Sequence, residues 1–199
     1  VSDLMTKSIF FSTSTRGFDM KLALSSIAAL AVVAAATLPT VAHATDGTIT
    51  INGQIGTQTC TINGNGTGGK DFTVALPKVS TSSLATGGST AGRTPFKIGL
   101  TNCSPATGNV YTHFEPGTTV NSTTGQLFNA TGTAKNVEVG LLNGDTSNIG
   151  VGKADENSKA VALSNGAAEL PYYAQYVATG GPAGQGTVNT SVMYSIMYQ

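Results

Sequence analysis

The sequence predicts an all-β sandwich. Three observations carry that expectation: apolar and polar residues alternate in run after run, turn signals rich in Gly and Asn separate the runs, and no segment has the period of an amphipathic helix. The chain has 199 residues, which suits one modest domain plus a processed segment, and its 40% hydrophobic content supplies a core despite 25 glycines and only 10% charged residues.

The first element is an address. Met20-Lys21 precedes an apolar run from Leu22 to Ala36, then Pro39, then Ala42-His43-Ala44, an A-x-A cleavage signature that places the start of the mature chain at Thr45. The run has 15 residues, short of the roughly 20 that a spanning helix needs, so residues 20–44 read as a signal peptide and not as a retained anchor. Residues 1–19 have no coherent pattern and stand either as an upstream artefact of start-site choice or as a long n-region carrying Lys7 and Arg16; the whole of 1–44 is set apart as an export segment.

The second element opens the mature chain. Thr48-Ile49-Thr50-Ile51-Asn52-Gly53-Gln54-Ile55 puts Ile49, Ile51, Gly53 and Ile55 on one face of a strand and polar residues on the other. We take 45–56 as this N-terminal strand and 57–199 as the domain proper. Half-buried strands are then expected at Phe72-Val74-Leu76, Phe96-Ile98-Leu100, Val137-Val139-Leu141 and Leu170-Tyr172-Ala174-Tyr176. Turns are expected at Asn63-Gly64-Asn65-Gly66, Asn143-Gly144-Asp145 and Gly180-Gly181-Pro182, while 107–132 is irregular. A last strand alternates Val188, Thr190, Val192, Tyr194, Ile196 and Tyr198 against polar residues and Met.

Cys60 and Cys103 are the two cysteines, and in an exported chain they form one disulfide. Closing that 43-residue separation stabilises the fold by about 4 kcal/mol in the chain-entropy estimate.

Composition excludes several chemistries. Basic and acidic residues balance at ten each and the basic ones are scattered, so no phosphate-binding patch for nucleic acid exists. The segment from Gly64 to Asp71 superficially fits G-x-x-x-x-G-K, but Asp71 stands where a magnesium-binding Ser or Thr belongs, so it reads as a glycine-rich connection. His113 is the one histidine of the mature chain, which rules out a two-histidine metal site and leaves no G-x-S-x-G elbow beside a single base; it reads as a partly exposed strand residue. Asp145, Asp155 and Glu156 lack the order of a calcium loop and read as solvated surface groups, and the N-x-[ST] tripeptides at Asn65, Asn121, Asn129 and Asn189 take no assigned role. No cofactor and no enzymatic constellation is expected.

Three blocks carry a resemblance: Gly47 to Ile55 leading to Cys60, Phe96 to Cys103, and Leu170-Pro171-Tyr172-Tyr173-Ala174-Gln175-Tyr176. A fourth is the C-terminus, with Tyr198 penultimate and Gly186 fourteenth from the end. In these blocks the chain resembles the pilins of the chaperone-usher pathway, a family that includes the major subunits of type 1 and P pili and the Bordetella fimbrial subunits.

That resemblance implies an incomplete immunoglobulin-like β-sandwich lacking its last strand, completed by donor-strand exchange. It implies a groove beside the final strand, formed with Gly186, Val192, Tyr194, Ile196 and Tyr198, and a chaperone whose basic residues hold the carboxylate of Gln199. It makes Ile49, Ile51, Gly53 and Ile55 the donor to the next subunit, with Gly53 either a break in the strand or a point of close passage over a shallow part of the groove. Burying each isoleucine contributes about 1.5 to 3 kcal/mol. The implied partners are other copies of the chain, a periplasmic chaperone, an outer-membrane usher and a tip adhesin, and the implied location is a surface fimbria reached through the periplasm.

Two alternatives stand beside a shaft-forming pilin supporting adhesion. One is a minor or adaptor subunit of the same fibre. The other is a secreted carbohydrate-binding sandwich or periplasmic hydrolase, disfavoured because the chain has no Trp to stack on sugars and no catalytic set.

Overall fold

The computed structural model describes residues 49–53, 55–154 and 158–199. The cleavage residues Ala42, Ala44 and Thr45 lie outside the described residues, as do Asp155 and Glu156. Residues 1–51 and 52–199 form separate units, and everything that follows on the fold concerns the second.

Nine strands occur among the described residues: β1 (Thr59–Gly64), β2 (Thr90–Ser104), β3 (Asn109–Phe114), β4 (Leu127–Phe128), β5 (Val137–Asn143), β6 (Asn148–Ile149), β7 (Val161–Ala162), β8 (Ala168–Ala178) and β9 (Tyr194–Tyr198). One sheet runs β1-β2-β8-β5-β4 with β6 also on β5, and a second runs β7-β3-β9; every pairing is antiparallel. The only helical turn among the described residues is a short 3-10 segment at Thr81–Leu84, where Ser80 accepts a hydrogen bond from the Ser82 N–H.

The alternation read from the sequence sets the register. Phe96 pairs with Tyr172 and Ile98 with Leu170 across β2 and β8, while Val139 pairs with Tyr176 and Leu141 with Ala174 across β5 and β8. Apart from Tyr176, which packs on a smaller cluster around Val137 and Ala178, these inward side chains meet Val110 and Phe114 of β3 in one buried cluster, which is the interior of the sandwich. Ring contacts run through it from Phe72 to Phe96 (6.0 Å), Phe96 to Tyr172 (5.5 Å) and Tyr172 to Phe114 (5.3 Å), within the range where aromatic pairs add to simple burial. The expected turn at Asn143 is the β5–β6 hairpin, held by the Thr146 and Asn143 N–H groups donating to the Asn143 and Ser147 carbonyls.

Apart from the two-residue strands β4, β6 and β7, which are too short to show a period, two strands escape the sequence pattern. In β3 the inward positions are Val110, Thr112 and Phe114, and the fully buried Thr112 interrupts the apolar period. In β1 the run is only six residues and ends in Asn63-Gly64, so turn chemistry masks it. The turn itself follows directly, with the Gly64 N–H donating to the Gly69 carbonyl at 2.7 Å.

Cys60 and Cys103 are joined in a disulfide that ties β1 to β2, beside a shift of register between Thr59 and Thr61. Replacing both with Ser is expected to cost the domain about 4 kcal/mol, which at a typical slope of about 1–3 kcal/mol per molar lowers the urea midpoint by at least about 1 M. An unchanged midpoint would show that the crosslink contributes nothing.

Candidate functional site

Two of the expected strands fall short of being strands, and the gap between them is the site. Phe72, Val74 and Leu76 alternate as predicted, half-buried against the core with Asp71, Thr73 and Ala75 exposed, yet residues 71–79 make no main-chain hydrogen bond to any described residue. The segment before Tyr194 behaves similarly on one edge. Its alternate residues bond outward: the Ala134, Ala130 and Glu115 N–H groups donate to the carbonyls of Thr187 (3.0 Å), Asn189 (2.9 Å) and Met193 (2.8 Å), and the Thr119 hydroxyl donates to that of Ser191 (2.6 Å). Because N–H and C=O of one residue share a side in an extended chain, Val188, Thr190 and Val192 turn theirs the other way, and these have no partner among the described residues. The expected last strand is therefore a ladder only over Tyr194–Tyr198, where β3 supplies the partner.

Between these two rims lies a cavity of about 820 Å³. Its floor is Phe96, Ile98, Phe114, Val139, Leu141 and Ala174, from β2, β3, β5 and β8. One end is tied shut where the Tyr194 hydroxyl donates to the Lys70 carbonyl at 2.7 Å and the Tyr194 ring meets Phe72 edge-on at 6.2 Å. That volume would suit a small ligand, but a sugar needs polar groups pointing inward and this floor has none. What the groove does offer is a narrow apolar trough with unpaired main chain along both sides. An extended chain pairing with a rim lies about 4.8 Å from it, the spacing of paired strands.

The residues singled out in the sequence distribute as follows. Val192 and Tyr194 line the groove. Ile196 and Tyr198 pack on the core from β9, opposite Thr112 and Val110, beyond the groove's closed end. Gln199 brackets Asn109 with a reciprocal pair of main-chain bonds (3.0 and 2.8 Å). Gly186 stands outside the groove at φ +149°, where a Cβ would lie 2.4 Å from the Ala134 nitrogen, so glycine is required for the chain to pass Thr133 and Ala134 into the rim. Ile49, Ile51 and Ile55 are 88%, 88% and 101% exposed and carry no strand ladder. On the outer face of β3 and β9, Glu115 lies between Ser195, which donates to Oε1 at 2.6 Å, and His113 Nε2, 3.5 Å from Oε2; the carboxylate occupies the position between nucleophile and base that a hydrolase would need clear.

The family follows from comparison. Residues 76–199 match the model of the family described as type-1 fimbrial protein, A. The chain belongs to this family. Among its relatives is the major fimbrial subunit SMF-1 of Stenotrophomonas maltophilia (strain K279a), 48% identical over 171 residues, which cover 82% of this chain and 98% of the relative. The F17 fimbrial protein of Escherichia coli is 42% identical over 176 residues, covering 84% and 94%. The crystal structure of the P pilus rod subunit PapA shares the fold, with a TM-score of 0.52 at 19% identity over 70% of this chain and 99% of that one. The pilin thus has the incomplete immunoglobulin-like sandwich of its family, and it is a structural subunit of a surface fimbria, assembled with other subunits into a polymer.

Burial raises the Tyr194 phenol above its ordinary value, with the Asp71 carboxylate adding to the effect, and burial alone raises Tyr176 and Tyr198. A phenol that holds its proton more tightly folded than unfolded supports stability that is complete below about pH 10 and declines as pH rises through the raised folded-state value. Ultraviolet titration of the pilin should therefore show tyrosines ionising above the ordinary range, and Tyr194→Phe should remove one of them. All six tyrosines ionising together at the ordinary value would contradict this environment.

Proposed function

We propose that this pilin polymerises by donor-strand exchange, with 45–56 of one copy lying in the groove of the next. The observation that carries this reading is the match between two incomplete objects in one chain. The groove has an apolar floor and two unpaired main-chain rims, and the N-terminal stretch has isoleucines at alternate positions with nothing covering them. Burying Ile49, Ile51 and Ile55 would contribute about 1.5 to 3 kcal/mol each, beside main-chain bonds to both rims. Joints of that kind hold a fibre without covalent links.

The same groove explains the partners expected during export. Until another copy arrives, the rims and floor need a temporary strand, which is the service a periplasmic chaperone performs. The reciprocal bonding of Gln199 to Asn109 holds the end of β9 where basic chaperone residues could reach its carboxylate. Transfer to the next copy at an outer-membrane usher, and attachment behind a tip adhesin, complete the reading. The shaft role is preferred to an adaptor role because a relative 48% identical over 82% of this chain is a major fimbrial subunit.

Deleting residues 46–55, which leaves Ala42, Ala44 and Thr45 of the cleavage site in place, should give normal export and chaperone capture but no fibre. Electrophoresis of surface material without boiling checks it: the parent should give a ladder of stable multimers and the deletion none. A ladder from the deletion variant would refute the donor assignment.

A further inference from the structure

We propose that Asn52-Gly53 is a site of spontaneous deamidation, open while a subunit waits for a partner and closed once its strand is seated, so that a subunit left unassembled loses its donor. The closing of the site rests on the donor-strand reading above; the chemistry in the waiting subunit does not.

The chain has five Asn-Gly pairs, beginning at Asn52, Asn63, Asn65, Asn143 and Asn165. Asparagine deamidates most readily before glycine, because the following nitrogen must reach the Asn Cγ and glycine has no Cβ to obstruct the turn. Folded structure decides which pairs can do so, since a bonded nitrogen or a held side chain must first be freed. Asn63-Gly64 is held twice, by the Gly64 N–H on the Gly69 carbonyl (2.7 Å) and by the Gly68 N–H on Asn63 Oδ1 (2.9 Å). Asn143 is buried, with its Oδ1 accepting from the Lys159 N–H and its Nδ2 donating to Ser147, both at 3.0 Å. The Gly166 N–H donates to the Ala106 carbonyl at 3.0 Å. Asn65-Gly66 sits inside a turn closed by the Thr67 N–H on the Gly64 carbonyl (3.0 Å), with the Asn65 N–H on the Lys97 carbonyl (2.7 Å). Asn52-Gly53 differs from all four. Both residues are exposed, neither has a hydrogen bond to any described residue, and a Cβ at Gly53 would meet nothing within 4 Å.

The reaction consumes water and releases ammonia. The Gly53 nitrogen gives up its proton and bonds to the Asn52 Cγ, the C–N bond of the side-chain amide breaks, and ammonia leaves behind a succinimide ring. Water then opens the ring at either carbonyl. One product is aspartate on an unchanged main chain; the other is isoaspartate, in which the main chain runs through Cβ and Cγ and gains an atom. Side chains share a face of a strand because the main-chain repeat is constant, so the added atom takes Ile55 out of step with Ile49 and Ile51. Such a copy keeps its groove and has no usable donor. In a seated strand the rims bond the main chain on both edges, which holds the Gly53 nitrogen away from Asn52. A chaperone strand fills the groove from outside and leaves 45–56 uncovered, so the waiting subunit is the one that ages.

The test incubates dilute isolated subunits and assembled fimbriae of the full chain side by side in mildly alkaline buffer and locates isoaspartate by peptide mapping. Asn52 should convert at least about tenfold faster in subunits than in fibres, and at least about tenfold faster than Asn63, Asn143 and Asn165 in the same subunits, as expected where those sites react only after local opening. Aged subunits should fail to add to fibres in proportion to their isoaspartate at 52. Aged and fresh Asn52→Gln subunits should add equally well, because the longer side chain closes its ring far more slowly. Asn52 intact in aged subunits, equal conversion in subunit and fibre, or isoaspartate-rich subunits that polymerise like fresh ones would overturn the proposal. Ile51→Ser with Ile55→Ser separates it from the reading beneath it: multimers that survive these changes mean that donor-strand exchange itself fails, whereas a lost ladder together with an unreactive Asn52 means that only the deamidation site fails.

Discussion

A main-chain N–H or C=O taken from water needs a partner, and in this pilin the need is unmet along two facing lines. Residues 71–79 have neither edge paired, and Val188, Thr190 and Val192 have one edge free. Between them lies the groove, floored by Phe96, Ile98 and Leu141 of the core. Every other feature of the domain either builds these rims or keeps them apart. The long β2–β8 pairing and its β5 neighbour make the floor, β3 holds the final strand by its far edge, and the glycine-rich turn after β1 delivers Phe72 to the opposite rim.

A domain with such a defect must hold its shape by other means. The disulfide anchors β1, the strand furthest from β5 in its sheet, and Gly186 lets the chain pass tightly against Thr133 and Ala134 before the rim begins. The Tyr194 to Lys70 bond joins the rims at one end, so that the trough has a stop. A strand entering the groove would thus extend order already present, consistent with a joint that forms readily from a folded acceptor.

Much of this was legible in the residues. The strands around Ile98 and Tyr172 follow from alternation, because one face of each lies on the core and burial enforces the period, whereas β5 around Val139 is buried on both faces, Glu138 and Leu142 included. What alternation cannot express is pairing: Phe72-Val74-Leu76 has the pattern of a strand and sits as one, yet has no ladder, since the pattern reports which face is buried and not what lies at the edges. The strand β3 was hidden for the opposite reason, a buried Thr112 that is polar by composition and interior by position.

The central claim is that the main chain along the two rims is unpaired in the single subunit and paired in the fibre. Amide hydrogen exchange resolved to single residues, on isolated subunits and on assembled fimbriae, measures this directly. The account predicts fast exchange at Phe72, Val74, Val188, Thr190 and Val192 in the isolated subunit and strong protection of the Val188, Thr190 and Val192 amides in the fibre, while β2 and β8 are protected in both. Rim amides already protected in the isolated subunit, or still exchanging freely after assembly, would contradict it.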